Sequence, residues 1–242
     1  MWVALNRPMP RLLSALLVTL LFAVIGRVVG GVNLSGAAAG WIVAFALYSC
    51  IGPGAFAALV AVFAVTWTAT RLGYARKQRL GVAESRRGRN AGQVLANLGV
   101  SGVLAVLGMF VAPELAWLGS MAALCEAAAD TACSECGEAW SDSAYLITGL
   151  RKVPAGTDGA ITVVGTLAGV AAAALVATVA AWLGVLTWPI AAIAGVAGFL
   201  GAIVDSLLGA TLERRGLMNN NAVNFSSTCA AALAAIALKL WL

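Results

Sequence analysis

Eight apolar runs, each close to the length of a membrane span, follow one another along the chain: 11–30, 34–51, 54–72, 92–111, 114–135, 160–184, 188–212 and 222–241. A transmembrane helix needs roughly 20 mostly apolar residues. Backbone inside hydrocarbon must bond to itself, so only helices and closed barrels can cross, and runs of this length read as helices. The sequence therefore predicts an all-α fold: a polytopic transmembrane helical bundle of about eight spans, with 1–242 forming a single integral-membrane domain. Seven spans result if one member of the 34–72 pair only dips into the membrane. Charged residues make up 10% of the chain, against about 25% in soluble domains, so no sizeable extramembrane domain remains. The breaks "IGPG" (51–54) and "GVLTWP" (184–189) read as tight turns, with Pro53 and Pro189 opening the helices that follow. The first run reads as a span rather than a cleaved signal peptide, being long and followed by no secreted domain.

Lys and Arg orient the bundle. The 71–91 connection holds Arg71, Arg76, Lys77, Arg79, Arg86, Arg87 and Arg89 against one acid, Glu84, and is expected to be cytoplasmic. Alternation then puts 31–34, 136–159 and 213–221 on the same face, while 52–53, 112–113 and 185–187 contain no Lys or Arg. Arg7 and Arg11 oppose this assignment and are outweighed. The expectation is a bacterial inner (plasma) membrane protein with its active-site loops on the cytoplasmic face. The net charge of +5 sits mostly in a short loop beside a bilayer, which argues for lipid and against a nucleic-acid partner. That loop reads either as a topology signal or as phosphate ligands. Arg86, Arg87 and Arg89 adjoin the fourth span and are the phosphate candidates; Arg71, Arg76 and Arg79 lie on its far side.

The stretch "LCEAAADTACSECG" (124–137) is costly in a membrane helix, because ionisable groups there persist only when they face a protein interior and function. Glu126, Asp130 and Ser134 recur at i, i+4 and i+8 on one face. Asp205 lies at similar depth in the seventh span, on a face with Gly195, Gly198, Ala202 and Gly209, and small residues let helices approach closely. The two regions read as a parallel repeat of 114–184 and 188–242, which would set Asp130 opposite Asp205. Two acids beside a basic loop fit a magnesium–phosphate site, since magnesium is held by one or two carboxylates plus substrate phosphates. A cation or proton path fits them too, and residue types leave both open. The chain has no histidine, which removes Ser-His-Asp chemistry. The five cysteines supply one CxxC (Cys133, Cys136) without further zinc ligands and read as packed, reduced thiols.

Three connections add ligand candidates. "LRKVPAGTDGAITVVG" (150–165) offers Lys152 and a turn at Gly156, with Thr157 or Asp158 as a helix cap. An open helix N-terminus near cations is an anion site. "MNNNAVNFSS" (218–227) offers Asn221 and Asn224, and "ESRRGRNAGQVLAN" (84–97) offers Gln93 and Asn97 on one helical face. These amides read equally as ligands or as helix-packing groups.

The segments "LSGAAAG" (34–40), "GVAESRRGRNAGQVLAN" (81–97), "ADTACSECG" (129–137), "KVPAGTDGAITVVGTLAG" (152–169), "GFLGAIVDSLLGATLE" (198–213) and "NNAVNFSS" (220–227) occur in this order over roughly 35–230. As a set they resemble the phytyl-phosphate kinase family of integral-membrane proteins, which includes the animal proteins called transmembrane protein nineteen. The resemblance implies a kinase that converts a polyprenyl monophosphate, such as phytyl or geranylgeranyl phosphate, to the diphosphate. A nucleoside triphosphate, CTP by preference, would be the donor. On that reading Asp130, Glu135 and Asp205, with Glu126 as a further possibility, hold Mg2+ and phosphate. Lys152, Arg86, Arg87 and Arg89 neutralise phosphates; Asn97, Gly156, Thr157, Asn221 and Asn224 orient substrate or nucleotide. The small-residue walls of spans five to seven would form the lipid groove. Two departures, Lys77 and Arg79 ahead of the "GVAES" motif and Glu213 after "LGAT", leave the nucleotide base open. The alternatives are a cytidylyltransferase-type lipid enzyme and a cation-coupled transporter using Glu126, Asp130 and Asp205 as an ion path.

Overall fold

The computed structural model describes residues 8–85 and 87–242. Its helices are α1 (Pro8–Val28), α2 (Leu34–Ala46), α3 (Pro53–Arg71), α4 (Tyr74–Leu80), α5 (Ala91–Leu107), α6 (Pro113–Trp140), α7 (Val163–Trp182), α8 (Trp188–Leu208) and α9 (Asn220–Trp241). A π-helical turn extends α2 over Leu47–Ile51 and another extends α8 over Gly209–Glu213. Every predicted span is one of these helices. The 34–72 region forms two of them, separated at Gly52, whose φ of 141° breaks the chain before Pro53 starts α3. Arg11 donates to the last carbonyl of that π turn, Ile51 O, at 3.3 Å.

Among the described residues, six helices are long and apolar enough to cross a membrane: α1, α2 with its π turn, α3, α7, α8 with its π turn, and α9. The other two spans of the eight-span reading differ for separate reasons. α5 is apolar but has 17 residues. α6 carries five acids, and its neighbours α3, α5, α7, α8 and α9 shield it from lipid. Burial of α6 inside the bundle is what makes acids tolerable at that depth.

The connections after α1, α3, α6 and α8 gather at one end. Val32 bridges to Arg89, Arg71 donates to Val29 O, and Arg76 reaches the end of α6 through Glu138 O (3.0 Å), Ser141 O (2.6 Å) and Asp142 (2.9 Å). Arg76 therefore ties the basic loop to α6, which the topology-only reading of this residue missed. The connection after α6 holds an unexpected small sheet: β1 (Ala144–Leu146) pairs antiparallel with β2 (Lys152–Val153) and with β3 (Ala160–Ile161). Strands of two or three residues leave too short an alternation to detect in sequence.

Candidate active site

The basic end encloses a cleft of about 1900 Å³, part of it open to solvent, between α5, α6, α8, α9 and the β1–β3 loop. Its floor is made by close helix packing. A Cβ added to Gly201 of α8 would come within 2.7 Å of the Glu126 side chain on α6, and Gly198 packs against Cys125 one turn earlier. Asp205 lies four residues beyond Gly201 and Asp130 four beyond Glu126. Each is therefore the next group along its own helix from the point of closest approach. Both side chains line the cleft there.

Three amides and hydroxyls organise Asp205. Ser227 Oγ donates to its Oδ2 at 3.2 Å. The Asn224 amide, oriented as its neighbours require, donates to the same oxygen at 3.3 Å and accepts from Asn97 Nδ2 at 2.9 Å. Asn97 Nδ2 also donates to Gln93 O at 2.9 Å. The Asn97–Asn224 bond thus joins α5 to α9 and reaches Asp205 through Asn224, while the other N–H of Asn97 returns to its own helix. Glu126 sits one turn below Asp130, 1% exposed, with no hydrogen-bond partner for either carboxyl oxygen.

Glu135 is committed elsewhere. Its Oε1 accepts from Thr70 Oγ1 at 2.9 Å and its Oε2 pairs with Lys77 Nζ. Lys77 is fully buried, and its other donors go to Ala69 O (3.0 Å) and Thr70 O (2.8 Å). All three N–H groups of the ammonium are satisfied. Glu135 lines the cleft but serves as the anchor of a buried ion pair rather than as a free acid. Lys77 and Ser227 are site residues that the sequence reading missed; their only signals were their places ahead of "GVAES" and inside "NNAVNFSS".

Among the described residues, Arg89 is the cation lining the cleft. Its backbone is fixed by Arg89 N to Gly31 O (3.1 Å) and Asn33 N to Arg89 O (3.0 Å), and its guanidinium lies 3.5 Å from Thr131 Oγ1 and 3.8 Å from Glu84. Glu84 also accepts from Gln93 Nε2 at 3.2 Å. Gly156 and Thr157 lie on the loop wall, where Thr157 Oγ1 closes a turn onto Pro154 O (2.8 Å). Gly159, with φ of 70°, is pressed onto the backbone of Ala210, so only glycine seats this loop against α8. The cap of α7 is Thr162, bonded to Gly165 N at 2.9 Å, because β3 takes up the residues after Asp158. The anion site expected at a helix starting from Thr157 or Asp158 is therefore absent.

Other candidates fall outside. Lys152 is exposed on β2 and Arg87 is exposed on its loop, neither in the cleft wall. Asn221 turns its amide towards Gly92 of α5. Arg86 lies outside the described residues. All five cysteines are free thiols. Among the described residues, no three acids or cysteines could hold a metal by themselves.

The comparison with known families decides the lineage. The chain belongs to the DUF92 family of integral membrane proteins. The family model matches residues 17–232, nearly all of the bundle. The chain is 31% identical over 237 residues to the chloroplastic protein VTE6 of Arabidopsis thaliana, covering 93% of this chain and 71% of that protein. It is 30% identical to an uncharacterized membrane protein of Synechocystis, covering 82% and 79%. It is 35% identical to one from Methanocaldococcus jannaschii, covering 70% of each. No solved structure matches.

Proposed function

We propose that this protein is a membrane-embedded kinase that transfers the terminal phosphoryl group of a nucleoside triphosphate, CTP by preference, to a polyprenyl monophosphate such as phytyl or geranylgeranyl phosphate. The observation that carries this reading is the meeting of Asp130 and Asp205 in a polar cleft walled by Arg89. The motif resemblance to phytyl-phosphate kinases supports it, because it runs over nearly the same stretch as the family match.

The donor set fits magnesium: two neighbouring carboxylates, with no cluster of three metal-ligating side chains among the described residues, match an ion held by one or two carboxylates plus substrate phosphates. Asp130 and Asp205 would hold it, and when bound it would neutralise charge on the transferring phosphoryl group. Arg89 supplies a guanidinium fork shaped for phosphate oxygens. Asn97 and Asn224 keep Asp205 oriented. Gly156 and Thr157 present a turn to the donor. An oxygen of the prenyl phosphate attacks the terminal phosphorus, the bond to the bridging oxygen breaks, and the nucleoside diphosphate leaves. The acceptor is largely ionised at neutral pH, with a second pKa of about 6, so no strong base is required of a chain without histidine. We place the basic end in the cytoplasm of a bacterial inner membrane, on its Lys/Arg asymmetry.

The test is product analysis with purified protein, Mg2+, geranylgeranyl phosphate and triphosphate labelled at the terminal phosphorus. The expected products are labelled geranylgeranyl diphosphate and unlabelled nucleoside diphosphate. Release of pyrophosphate would replace the kinase with a nucleotidyltransferase, and no transfer to any prenyl phosphate would end both readings.

A further inference from the structure

A second cleft of about 940 Å³, partly open, lies in the N-terminal half between α1, α2, α3 and α5. Its cause is a wedge in the packing: α2 leans on α5 and α3 leans on α6, so α2 and α3 barely touch. The walls are apolar, with Phe22, Gly40, Leu59, Phe63 and Leu98 among them and Ala127 of α6 at the back. From Arg71 at its mouth to Leu59 is twelve residues of one helix, roughly 18 Å at 1.5 Å per residue. The mouth is polar and is shared: Glu84, Arg89, Gln93 and Asn97 line both this cleft and the polar one.

We propose that this N-terminal cleft holds the isoprenoid tail of the acceptor, with the phosphate passing Arg89 into the polar cleft. The proposal rests on the kinase reading and adds the acceptor's seat. A long apolar chain ending in an anion needs a greasy slot with a cation at its mouth, and Arg89 stands where slot and polar cleft join. The groove expected from spans five to seven has a counterpart between α7 and α8, lined by Ala174, Ala177, Trp188 and Phe199. That groove touches the polar cleft only through Phe199 and has no cation among its lining residues. It is suited to bilayer lipid rather than to an anionic substrate.

The test uses the whole protein in lipid nanodiscs with a geranylgeranyl monophosphate analogue carrying a diazirine at the tail end. Saturable adducts are expected on α2 and α3 near Gly40 and Leu59, displaced by geranylgeranyl phosphate and not by phosphatidic acid. A Cβ at Gly40 meets only Val94 Cγ1, at 3.9 Å, so Gly40→Leu grows into the slot without moving a helix. Gly40 lies one turn past Gly36, which abuts the Arg89 backbone, so it flanks the first part of any prenyl chain entering the slot. This variant should lower kcat/KM at least about tenfold for geranylgeranyl phosphate and for geranyl phosphate alike. Ala174→Leu in the α7–α8 groove should change neither. Adducts on α7 and α8, equal displacement by phosphatidic acid, or unchanged kcat/KM in Gly40→Leu would overturn the tail assignment. Adducts in the slot without phosphoryl transfer would keep the tail site and defeat the kinase reading. Absence of any saturable adduct would defeat the tail site, whatever the turnover.

Discussion

The N-terminal half of this bundle and its C-terminal half are built by opposite means. Around α6, α7 and α8 the contacts are glycine and alanine: Gly165 and Gly169 lie on Cys133, Gly198 on Cys125 and Gly201 on Glu126. Around α1 and α3 the contacts are rings, with Phe22 edge-on to both Phe56 and Phe63 at 5.3 Å between centroids. Small residues bring backbones together, and here they bring two carboxylates together as well. Rings hold helices apart, and the space left between α2 and α3 is the apolar cleft. One chain thus makes a tight polar floor and a loose greasy slot by the choice of residue size.

Five single substitutions and one double variant probe that contrast. The largest effect is expected where the halves are joined. Lys77→Ala would leave Glu135 buried without its counter-charge, which costs about 3–5 kcal/mol when one partner of a buried pair is removed. A thermal shift assay in detergent should show a strongly lowered midpoint, with Lys77→Met/Glu135→Gln recovering part of it. An unchanged midpoint in Lys77→Ala would mean the halves are held by other contacts.

Next comes the polar floor. Asp205→Asn keeps shape and the Ser227 contact but removes a carboxyl oxygen that would hold the metal, and Asp130→Asn does the same on α6. Each should lower kcat by roughly a hundredfold to a thousandfold, the scale for loss of one preorganised charge-stabilising group, while the thermal midpoint stays close to wild type. Full turnover in both would detach the chemistry from the α6–α8 contact.

Smaller effects are expected at the mouth. Arg89→Lys keeps the charge but not the fork, and should raise KM for prenyl phosphate about tenfold, near 1.4 kcal/mol. Arg87→Lys, exposed and outside the cleft wall, should stay within about twofold in the same steady-state assay. If neither variant changes KM, the basic loop acts on topology alone.

The sequence made the helices legible because length and apolarity are local properties, and the acids legible because Asp130 and Asp205 violate their surroundings. Asn224 and Asn97 were readable as polar residues in apolar helices, though not as partners. What escaped was pairing at long range. Nothing within several residues of Lys77 says that it is buried, and nothing near Glu135 says that its oxygens are taken. The β1–β3 sheet escaped for its brevity, and it moved the α7 cap from Thr157 or Asp158 to Thr162. Lys152 looked like a phosphate ligand by proximity in sequence, yet on an exposed two-residue strand it lies outside the wall.

The Lys77–Glu135 pair also bears on how the chain is made. The two residues are 58 positions apart, so the first three helices leave the ribosome well before the partner of Lys77 exists. Until α6 is inserted, that ammonium has the last carbonyls of α3 but no counter-charge, and a buried position is costly for it. The loop after α3 must therefore wait at the membrane surface and swing inward when α6 arrives. A nascent chain stopped before Glu135 would hold its helices in the bilayer with this corner still open, and docking of Lys77 marks the moment at which the two halves become one molecule.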